Sequence, residues 1–414
     1  MRWTLTSPDG IGDFILRLPW IIRMQECGWE LQLLARGPTL ELADLAGIKG
    51  EFVELSQNPY SKEAKCSLQP FKRDFAAIEK FQPGILFFAP SQPTFLEEQA
   101  TKRFPHLKKG GFFLKEGFWP SEGLENPRDL AKAYQFQIEV SAGFPDFYRN
   151  QSACQFLLGF QDALTPYFLP SEQLSLSVAK DCLDSGREYV VVSPGVRSGD
   201  YFKGWGAQNW IRELKKLESA IPHQFVFVGG PNEILGNAKI FEGLSDPKRH
   251  LNLTGKTPTL RDLIGVLGRS KGYLGKDCGT MHLACICNLP VLAVFGGGHR
   301  DRFFPPYKKS TSVTVDVPCR GCDWRCHLPE HICVSGIPEG LVSEFFERKL
   351  SLPDNGFPNL ELPAQRHALD LLKNNPIQDY PERCHRIKKD RQKKECRTTV
   401  LNWPFRAIQT FLAK

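Results

Sequence analysis

The sequence feature that most restricts the fold is a strand predicted to be buried on both faces. Tyr189-Val190-Val191-Val192 is a continuous apolar run rich in β-branched residues, which is typical of a parallel sheet covered by helices on both sides. Similar runs follow at residues 225–228 and 291–295, with helical patterns between them. Strands and helices in this alternation predict a doubly wound α/β domain.

An earlier part of the chain shows the same alternation. Short apolar runs at residues 3–6, 31–34, 52–55 and 85–88 are separated by segments of helical periodicity. The 414 residues also exceed the roughly 250–300 at which a single core stops growing. We therefore expect two doubly wound α/β domains that face a central cleft, since open α/β sheets bind ligands at the carboxyl ends of their strands.

Changes in composition mark the expected domain boundaries. Residues 105–180 mix Pro, Phe and polar residues without a clean period, so we expect the first domain to end there in a linker with helices. The predicted domains are residues 1–180 and 181–348, followed by a C-terminal extension over residues 349–414. Within the extension, residues 383–397 hold eight basic and two acidic residues, a charge of +6 against +7 for the whole chain.

The extension is the expected surface for an anionic partner. Leu401, Phe405, Ile408 and Leu412 share one face of a predicted helix beside the basic run. Basic charge next to an apolar face favours an anionic membrane surface, and docking of this helix on its own protein is the alternative. No recognised nucleic-acid motif accompanies the run, so we expect no nucleic-acid partner.

The rest of the sequence predicts a cytoplasmic protein. There is no apolar run of about 18 residues and no signal-peptide pattern at the start of the chain. The thirteen cysteines lack the spacing of a secreted disulfide scaffold, which favours a reducing compartment. The basic extension adds the expectation of a peripheral position at the inner face of the cytoplasmic membrane.

Two turns carry the patterns of ligand-binding loops. Gly10-Ile11-Gly12-Asp13 follows the first strand and opens a helix, where free N–H groups attract polar or anionic groups; a carboxylate that only complements the helix dipole is the alternative for Asp13. The loop from Ser193 to Lys203 follows the Tyr189 strand. Its lysine can pair with phosphate, and a solvated lysine beside Trp205 is the alternative.

A third turn, Lys276-Asp277-Cys278-Gly279-Thr280-Met281-His282, lies between a predicted strand and a helix of small residues. Gly279 and Thr280 are expected at the helix N-terminus, where free N–H groups and the dipole would hold a diphosphate. Asp277 can accept hydrogen bonds from sugar or ribose hydroxyls. An N-capping Asp277 with a core His282 is the alternative.

Taken in order, these elements resemble glycosyltransferase family 9, the lipopolysaccharide heptosyltransferases, over residues 1–345. The resemblance is carried by Gly12-Asp13 with Leu16 and Pro19, Pro194-Gly195 with Lys203 and Trp205, Gly229-Gly230-Pro231 with Glu233, Leu253-Thr254-Gly255-Lys256-Thr257 with Leu260, and Asp277, Gly279, His282, Leu283-Ala284, Pro290 and Phe295-Gly296.

The resemblance implies a GT-B fold and inverting, metal-independent transfer of a sugar from a nucleotide donor, ADP-heptose, to a hydroxyl of a glycan, glycolipid or protein. It implies that Asp13 is the general base and that Gly10 and Gly12 belong to the acceptor-side loop. An in-line displacement needs such a carboxylate and a cationic phosphate clamp. The implied donor-binding residues are Gly195, Ser198, Lys203, Gly229, Gly230, Glu233, Asp277, Gly279, Thr280 and His282.

The sequence departs from the family pattern at three places. Cys278 stands where Ser or Thr is usual, and residues 295–299 replace a loop that commonly continues Gly-Pro-Thr. The spacing from Pro194 to Lys203 is also longer than usual. These departures leave two alternative functions, another GT-B nucleotide-sugar enzyme (a different glycosyltransferase or an epimerase) and a non-catalytic GT-B scaffold. Transfer or hydrolysis of a donor would distinguish the enzymes from the scaffold.

Four cysteines, Cys319, Cys322, Cys326 and Cys333, form a C-x2-C-x3-C-x6-C cluster. Thiolates at this spacing suit a tetrahedral metal, although the last two follow more closely than in ordinary zinc modules. The cluster also resembles one in part of the family, in which autotransporter heptosyltransferases hold iron with four cysteines. We expect a structural zinc or iron site, with free or disulfide-forming thiols as the alternative, and no metal cofactor in catalysis.

Overall fold

The computed structural model of the chain describes residues 1–60, 71–90, 93–114, 130, 132–141, 143–159, 161–174, 186–195, 204–296, 298, 300–319, 326, 328, 330–352 and 357–374. It divides into two compact units that meet between Leu169 and Pro170. The boundary predicted at residue 180 lies outside the described residues. No helix in these ranges has both the length and the apolar character needed to cross a bilayer.

The first unit is built on one parallel sheet. Its strands are β1 Arg2–Ser7, β2 Glu30–Ala35, β3 Glu51–Glu54, β4 Ile85–Phe88, β5 Lys108–Leu114 and β6 Phe136–Val140. Its helices are α1 Ile11–Glu26, α2 Gly37–Leu45, α3 Lys72–Phe81, α4 Phe95–Arg103 and α5 Asp146–Leu158. The strand order is β3-β2-β1-β4-β5-β6, so the order reverses between β1 and β4, the position where such sheets bind ligands.

Aromatic side chains form much of the first core. The ring centroids of Trp3 and Trp20 are 5.4 Å apart, and those of Trp20 and Phe87 are 5.0 Å apart. Because Trp3 lies on β1, Phe87 on β4 and Trp20 on α1, these contacts fix the helix against the centre of the sheet. The start of α1 is thereby held at the carboxyl end of β1.

The expectation of a linker with helices over residues 105–180 was wrong for two segments, because β5 and β6 extend the sheet there. Gly110 and Gly111 lie in the middle of β5, where glycine usually weakens a strand. A β-carbon at Gly110 would lie 2.7 Å from Phe87 Cδ2, and one at Gly111 would lie 2.6 Å from Tyr134 Cε2. Neighbouring aromatic rings therefore occupy the space where side chains would lie, and only the second half of the strand, Phe112-Phe113-Leu114, is apolar.

The second unit is built on a seven-stranded parallel sheet. Its strands are β7 Tyr189–Ser193, β8 Gln224–Phe227, β9 Leu251–Asn252, β10 Tyr273–Lys276, β11 Val291–Val294, β12 Ser310–Asp316 and β13 Leu360–Pro363. Its helices are α6 Ser171–Leu174, α7 Ala207–Ala220, α8 Ile234–Glu242, α9 Leu260–Gly268, α10 Gly279–Ile286, α11 Arg300–Phe303, α12 Ile332–Ser335, α13 Leu341–Ser351 and α14 Arg366–Asn374.

The strand order of the second sheet is β13-β12-β11-β10-β7-β8-β9. Every residue of β7 is buried, as the apolar run at Tyr189 predicted. The order reverses between β7 and β10, so the loops that follow these two strands begin side by side at the carboxyl edge. This is the second reversal point at which an α/β sheet binds ligands.

The predicted fold class, two doubly wound α/β units, is confirmed by these two parallel sheets. One strand lies beyond the boundary predicted at residue 348. The segment Leu360–Pro363 pairs with β12, with Leu360 opposite Val313, so part of the expected extension completes the second sheet. The rest of the extension, from residue 375 onward, lies outside the described residues, as do its basic run and its predicted amphipathic helix.

Candidate functional site

The turn between β1 and α1 brings Gly10, Gly12 and Asp13 together, as predicted. Asp13 is half-buried in the first turn of α1, and the Gly10 N–H donates to Asp13 Oδ2 over 3.2 Å. This is the arrangement of a capping carboxylate. The same contact also fixes the direction of the carboxylate, so the geometry suits both a helix cap and a positioned base.

A second carboxylate in this turn, Asp9, was not predicted from sequence. Arg17 is buried, and its Nη2 lies 3.0 Å from Asp9 Oδ2 and 3.2 Å from the Ala89 carbonyl oxygen. The other Asp9 oxygen accepts a hydrogen bond from the Tyr60 hydroxyl. Asp9 therefore accepts hydrogen bonds from the Arg17 guanidinium and the Tyr60 hydroxyl, and these contacts hold the turn in place.

The predicted donor-side residues of the second unit lie at the carboxyl ends of three adjacent strands. Gly195 follows β7, Gly229 and Gly230 follow β8, and Asp277 follows β10. Since β10, β7 and β8 are neighbours in the sheet, their following loops share one edge. The fold thus brings together residues that are separated by up to 82 positions in sequence, from Gly195 to Asp277.

The loop after β8 is organised around Glu233. The Gly230 N–H donates to Glu233 Oε2 over 2.8 Å, and a β-carbon at Gly229 would overlap that carboxylate. Asn237 supports the loop from α8, donating to the Thr254 hydroxyl over 3.1 Å. Glycine is therefore required at position 229, because the buried Glu233 side chain folds back against it.

Glu233 also approaches the loop after β7. Gly195 has φ +55°, in the left-handed region that favours glycine. A β-carbon there would lie 3.2 Å from Glu233 Oε1 and would overlap Lys276 Cε. Gly195, Glu233 and Lys276 therefore converge at one point on the edge of the sheet.

The turn between β10 and α10 follows the predicted arrangement with one difference. The residue that precedes the first helical turn is Cys278, and its side chain makes no capping hydrogen bond, so Asp277 is not the N-cap. Asp277 and His282 are buried, whereas Gly279 and Thr280 are half-buried at the helix start.

Cys278 instead contacts the neighbouring strands. Its Sγ lies 3.4 Å from the Tyr273 hydroxyl and 3.9 Å from Ser193 Oγ. Burial, and then the adjacent thiol, raise the pKa of the Tyr273 phenol well above its ordinary value, so the phenol is neutral and available to donate. A sulfur at position 278 thus leaves the N–H groups of the first turn of α10 without a side-chain cap.

Three of the predicted site residues, Ser198, Lys203 and Cys322, lie outside the described residues. The other three cysteines of the cluster border the same hydrophobic core of the second unit. Cys319 is a buried member of that core, and Cys326 and Cys333 pack against it while partly exposed. Among the residues that the structure describes, no group of three or more His, Cys, Asp or Glu side chains is placed to hold a metal ion.

Three residues near the predicted donor-side residues were not predicted from sequence, namely Lys276, Tyr273 and Asn237. Lys276 had a visible signal, because a lysine at the end of an otherwise apolar buried strand is unusual. Tyr273 and Asn237 had none, since both match the ordinary pattern of a strand and of a helix. Their contacts depend on residues distant in sequence.

Residues 128–325 match the model of glycosyltransferase family 9 (heptosyltransferase). No curated protein matches the chain by sequence. The structure of E. coli ADP-heptose lps heptosyltransferase II is similar over 86% of this chain and 100% of that chain, with a TM-score of 0.64 and 16% identity.

Two further solved structures are similar. E. coli heptosyltransferase WaaC with ADP matches over 84% of this chain and 99% of its own, with a TM-score of 0.58 and 15% identity. The family 9 glycosyltransferase from Veillonella parvula matches over 75% of this chain and 85% of its own, again with a TM-score of 0.58 and 15% identity. These likenesses show the fold that the chain shares with them, the GT-B fold.

Proposed function

We propose that the chain, whose residues 128–325 match the model of glycosyltransferase family 9, is a glycosyltransferase that transfers heptose from ADP-heptose to a hydroxyl group. The observation that carries the proposal is the turn between β10 and α10. Buried Asp277 and the uncapped start of α10 lie there at the point where the strand order of the second sheet reverses. That position offers backbone N–H groups to a diphosphate and a carboxylate to sugar or ribose hydroxyls.

The donor is proposed from the similar solved structures and from these contacts. The structures to which the chain is similar include one named for ADP-heptose and one that contains ADP. In this chain, Glu233 and the glycines after β8 would lie beside the nucleoside. Lys203, Gly279 and Thr280 would lie beside the diphosphate, and Ser198, Asp277 and His282 would complete the donor site.

The proposed reaction is an inverting displacement without a catalytic metal. Asp13 takes the proton from the acceptor hydroxyl, whose oxygen attacks the anomeric carbon. The bond from that carbon to the diphosphate breaks as the new bond forms, and its electron pair stays on the diphosphate. The fixed direction of the Asp13 carboxylate, set by the Gly10 N–H, supports this role because a base must be positioned before the proton moves. The acceptor is a hydroxyl of a glycan, glycolipid or protein.

A ligand panel tests the proposed function. We expect ADP and ADP-heptose to raise the melting temperature, since a ligand at 100 times its dissociation constant adds about 2.7 kcal/mol of stability. UDP, GDP and CDP serve as matched controls for the base. Release of ADP from ADP-heptose should then depend on an added glycan or glycolipid acceptor. A protein that responds to none of these nucleotides and releases no ADP would be a scaffold.

We also propose that Cys319, Cys322, Cys326 and Cys333 bind one structural zinc or iron ion. The three described thiols border one core but are not grouped around one point, so metal binding would draw them together and tie this segment to the second unit. Purified protein should then carry about one metal ion per chain and lose it in a double Cys→Ser variant, with a lower melting temperature. Substoichiometric metal after reconstitution would instead identify the thiols as free or oxidised.

The basic extension is proposed to hold the protein at an anionic membrane surface on the cytoplasmic side. Its support is the charge of +6 over residues 383–397, since basic residues near anionic lipid each contribute roughly 1 kcal/mol. Deleting residues 383–414 should abolish binding to anionic vesicles at low salt, while neutral vesicles bind neither form. Equal binding of both forms to anionic vesicles would contradict the membrane role.

A further inference from the structure

We propose that Lys276 is an additional binding residue for the diphosphate of the donor. The inference rests on the proposed function. It adds to that function a cation on the strand β10 itself, separate from Lys203 on the loop that follows β7. Family resemblance assigned no role to this residue.

The first observation is that Lys276 is buried and its ammonium group has no hydrogen-bond partner among the described residues. The side chain is 2% exposed, and its Nζ makes no hydrogen bond to any residue that the structure describes. An ammonium group out of water without a partner is costly. A group in this state is consistent with a site that a bound anion completes.

Two other buried lysines show what a structural lysine looks like in this protein. Lys109 Nζ donates to the Phe104 and Leu107 carbonyl oxygens. Lys349 Nζ donates to the Thr311 hydroxyl over 2.9 Å. Each is satisfied by its own unit, whereas Lys276 is as buried as Lys109 and makes no such bond within the part of the chain that the structure describes.

The second observation is the place of Lys276 in the fold. It is the last residue of β10, at the carboxyl edge and beside β7, where the strand order reverses. Its stem passes the Cα of Gly195, where a β-carbon would overlap Lys276 Cε. The absence of a side chain at Gly195 therefore makes room for this lysine at the ligand-binding edge.

The charged groups around this point favour a phosphate ligand. Glu233 also approaches Gly195, but its Oε2 accepts from the Gly230 N–H and Lys276 makes no hydrogen bond to it. The start of α10 follows three residues after Lys276, and its N–H groups also attract an anion. An ammonium group donates three hydrogen bonds and accepts none, so the ligand must present several acceptors, as a diphosphate does.

The same cation would act in the transfer step. Negative charge develops on the diphosphate as its bond to the anomeric carbon breaks. A preorganised ammonium in a site without water stabilises that charge more than it stabilises the bound donor. Lys276 is therefore expected to affect turnover as well as binding.

The test compares ligands with and without phosphate. Lys276→Met keeps most of the apolar stem and removes the charge. We expect it to weaken binding of ADP and of inorganic pyrophosphate about 10- to 100-fold, the range of one charge-assisted contact, and to leave adenosine affinity unchanged. Without ligand its melting temperature should rise, because an unpartnered buried charge has been removed.

Two more variants serve as the second probe and the matched control. Gly195→Ala should weaken ADP binding with Lys276 intact, because the new methyl group displaces the lysine stem. Lys109→Met should lower the melting temperature, because it leaves two carbonyl groups without their donor, and should not change ADP affinity.

The outcomes separate this inference from the proposed function. If the wild-type protein binds a nucleoside diphosphate and Lys276→Met binds it equally well, the inference is wrong and the proposed function stands. Equal losses for ADP and adenosine, or a lower melting temperature without ligand, would identify Lys276 as a structural residue. A wild-type protein that binds no nucleoside diphosphate would overturn both proposals.

Discussion

Each sheet has a strand-to-helix turn at the point where its strand order reverses, and the two turns differ in whether a buried cation nearby has a hydrogen-bond partner. In the first unit, the buried Arg17 of α1 is matched by Asp9, which lies between β1 and α1, and by the Ala89 carbonyl group. In the second unit, between β10 and α10, the buried Lys276 makes no hydrogen bond to the described residues. The charge of Arg17 in the first unit is therefore balanced without a ligand. The ammonium group of Lys276 in the second unit would be balanced when an anion binds.

The carboxylates differ in the same way. Asp13 lies inside α1, and its oxygen accepts from the Gly10 N–H. Asp277 precedes α10, whose N-cap is Cys278 without a capping side-chain bond. One acid stabilises the start of its helix, whereas the other leaves the helix start uncapped. Measurements that distinguish catalysis, donor affinity and stability can test this contrast.

The largest expected effect is on turnover in Asp13→Asn. The amide keeps an acceptor oxygen for the Gly10 N–H but removes the basicity, so transfer should fall about 10²- to 10⁴-fold with normal folding and donor affinity. Single-turnover kinetics and a melting curve measure the two effects. Near-normal turnover with a lowered melting temperature would make Asp13 a helix cap only and would erase the contrast in catalysis.

A smaller effect is expected on donor affinity in Asp277→Ala and Lys203→Ala. Each removes one contact to a polar or charged ligand group, so nucleotide-sugar binding should weaken about 10- to 100-fold without unfolding. Isothermal titration measures this loss. Asp9→Asn is the matched control in the first turn, where stability should fall and donor affinity should not. Unchanged donor affinity in both Asp277→Ala and Lys203→Ala would show that the donor does not bind at this turn.

The smallest effect is expected in Cys278→Ser. A hydroxyl at the N-cap can accept from the exposed N–H groups of α10, so the variant should be more stable by about 0.5–2 kcal/mol. Chemical denaturation measures the gain, and Cys278→Ala should show none. A serine variant no more stable than the alanine variant would mean that the backbone at position 278 does not permit capping.

Strands with apolar runs were predictable from the sequence. The runs at residues 3–6, 85–88 and 189–192 all lie in strands, since each carries the alternation or continuity that burial requires. The strand β5 was not predictable, because Gly110 and Gly111 have no side chains that could mark a buried strand. The rings of Phe87 and Tyr134 occupy the space where those side chains would lie.

The candidate site was predictable where a turn carries its own pattern. A glycine and an acid after a strand predicted the positions of Gly195 and Asp277, the family resemblance added Glu233, and the sheet brings the loops that hold them to one edge. The state of Lys276 could not be predicted, because whether a lysine has a partner depends on the three-dimensional neighbourhood. The same holds for the pairing of Asp9 with Arg17.

The late strand β13 has a consequence for biosynthesis. The ribosome releases the six strands of the first sheet in residues 2–140, before any strand of the second sheet. The outer edge of the seven-residue strand β12 then remains unpaired until residues 360–363 have been synthesised. During that interval a nascent chain presents an open strand edge, the kind of surface that joins other chains. Translation of residues 317–359 is therefore the stage at which crowded polysomes would favour misassembly of this protein.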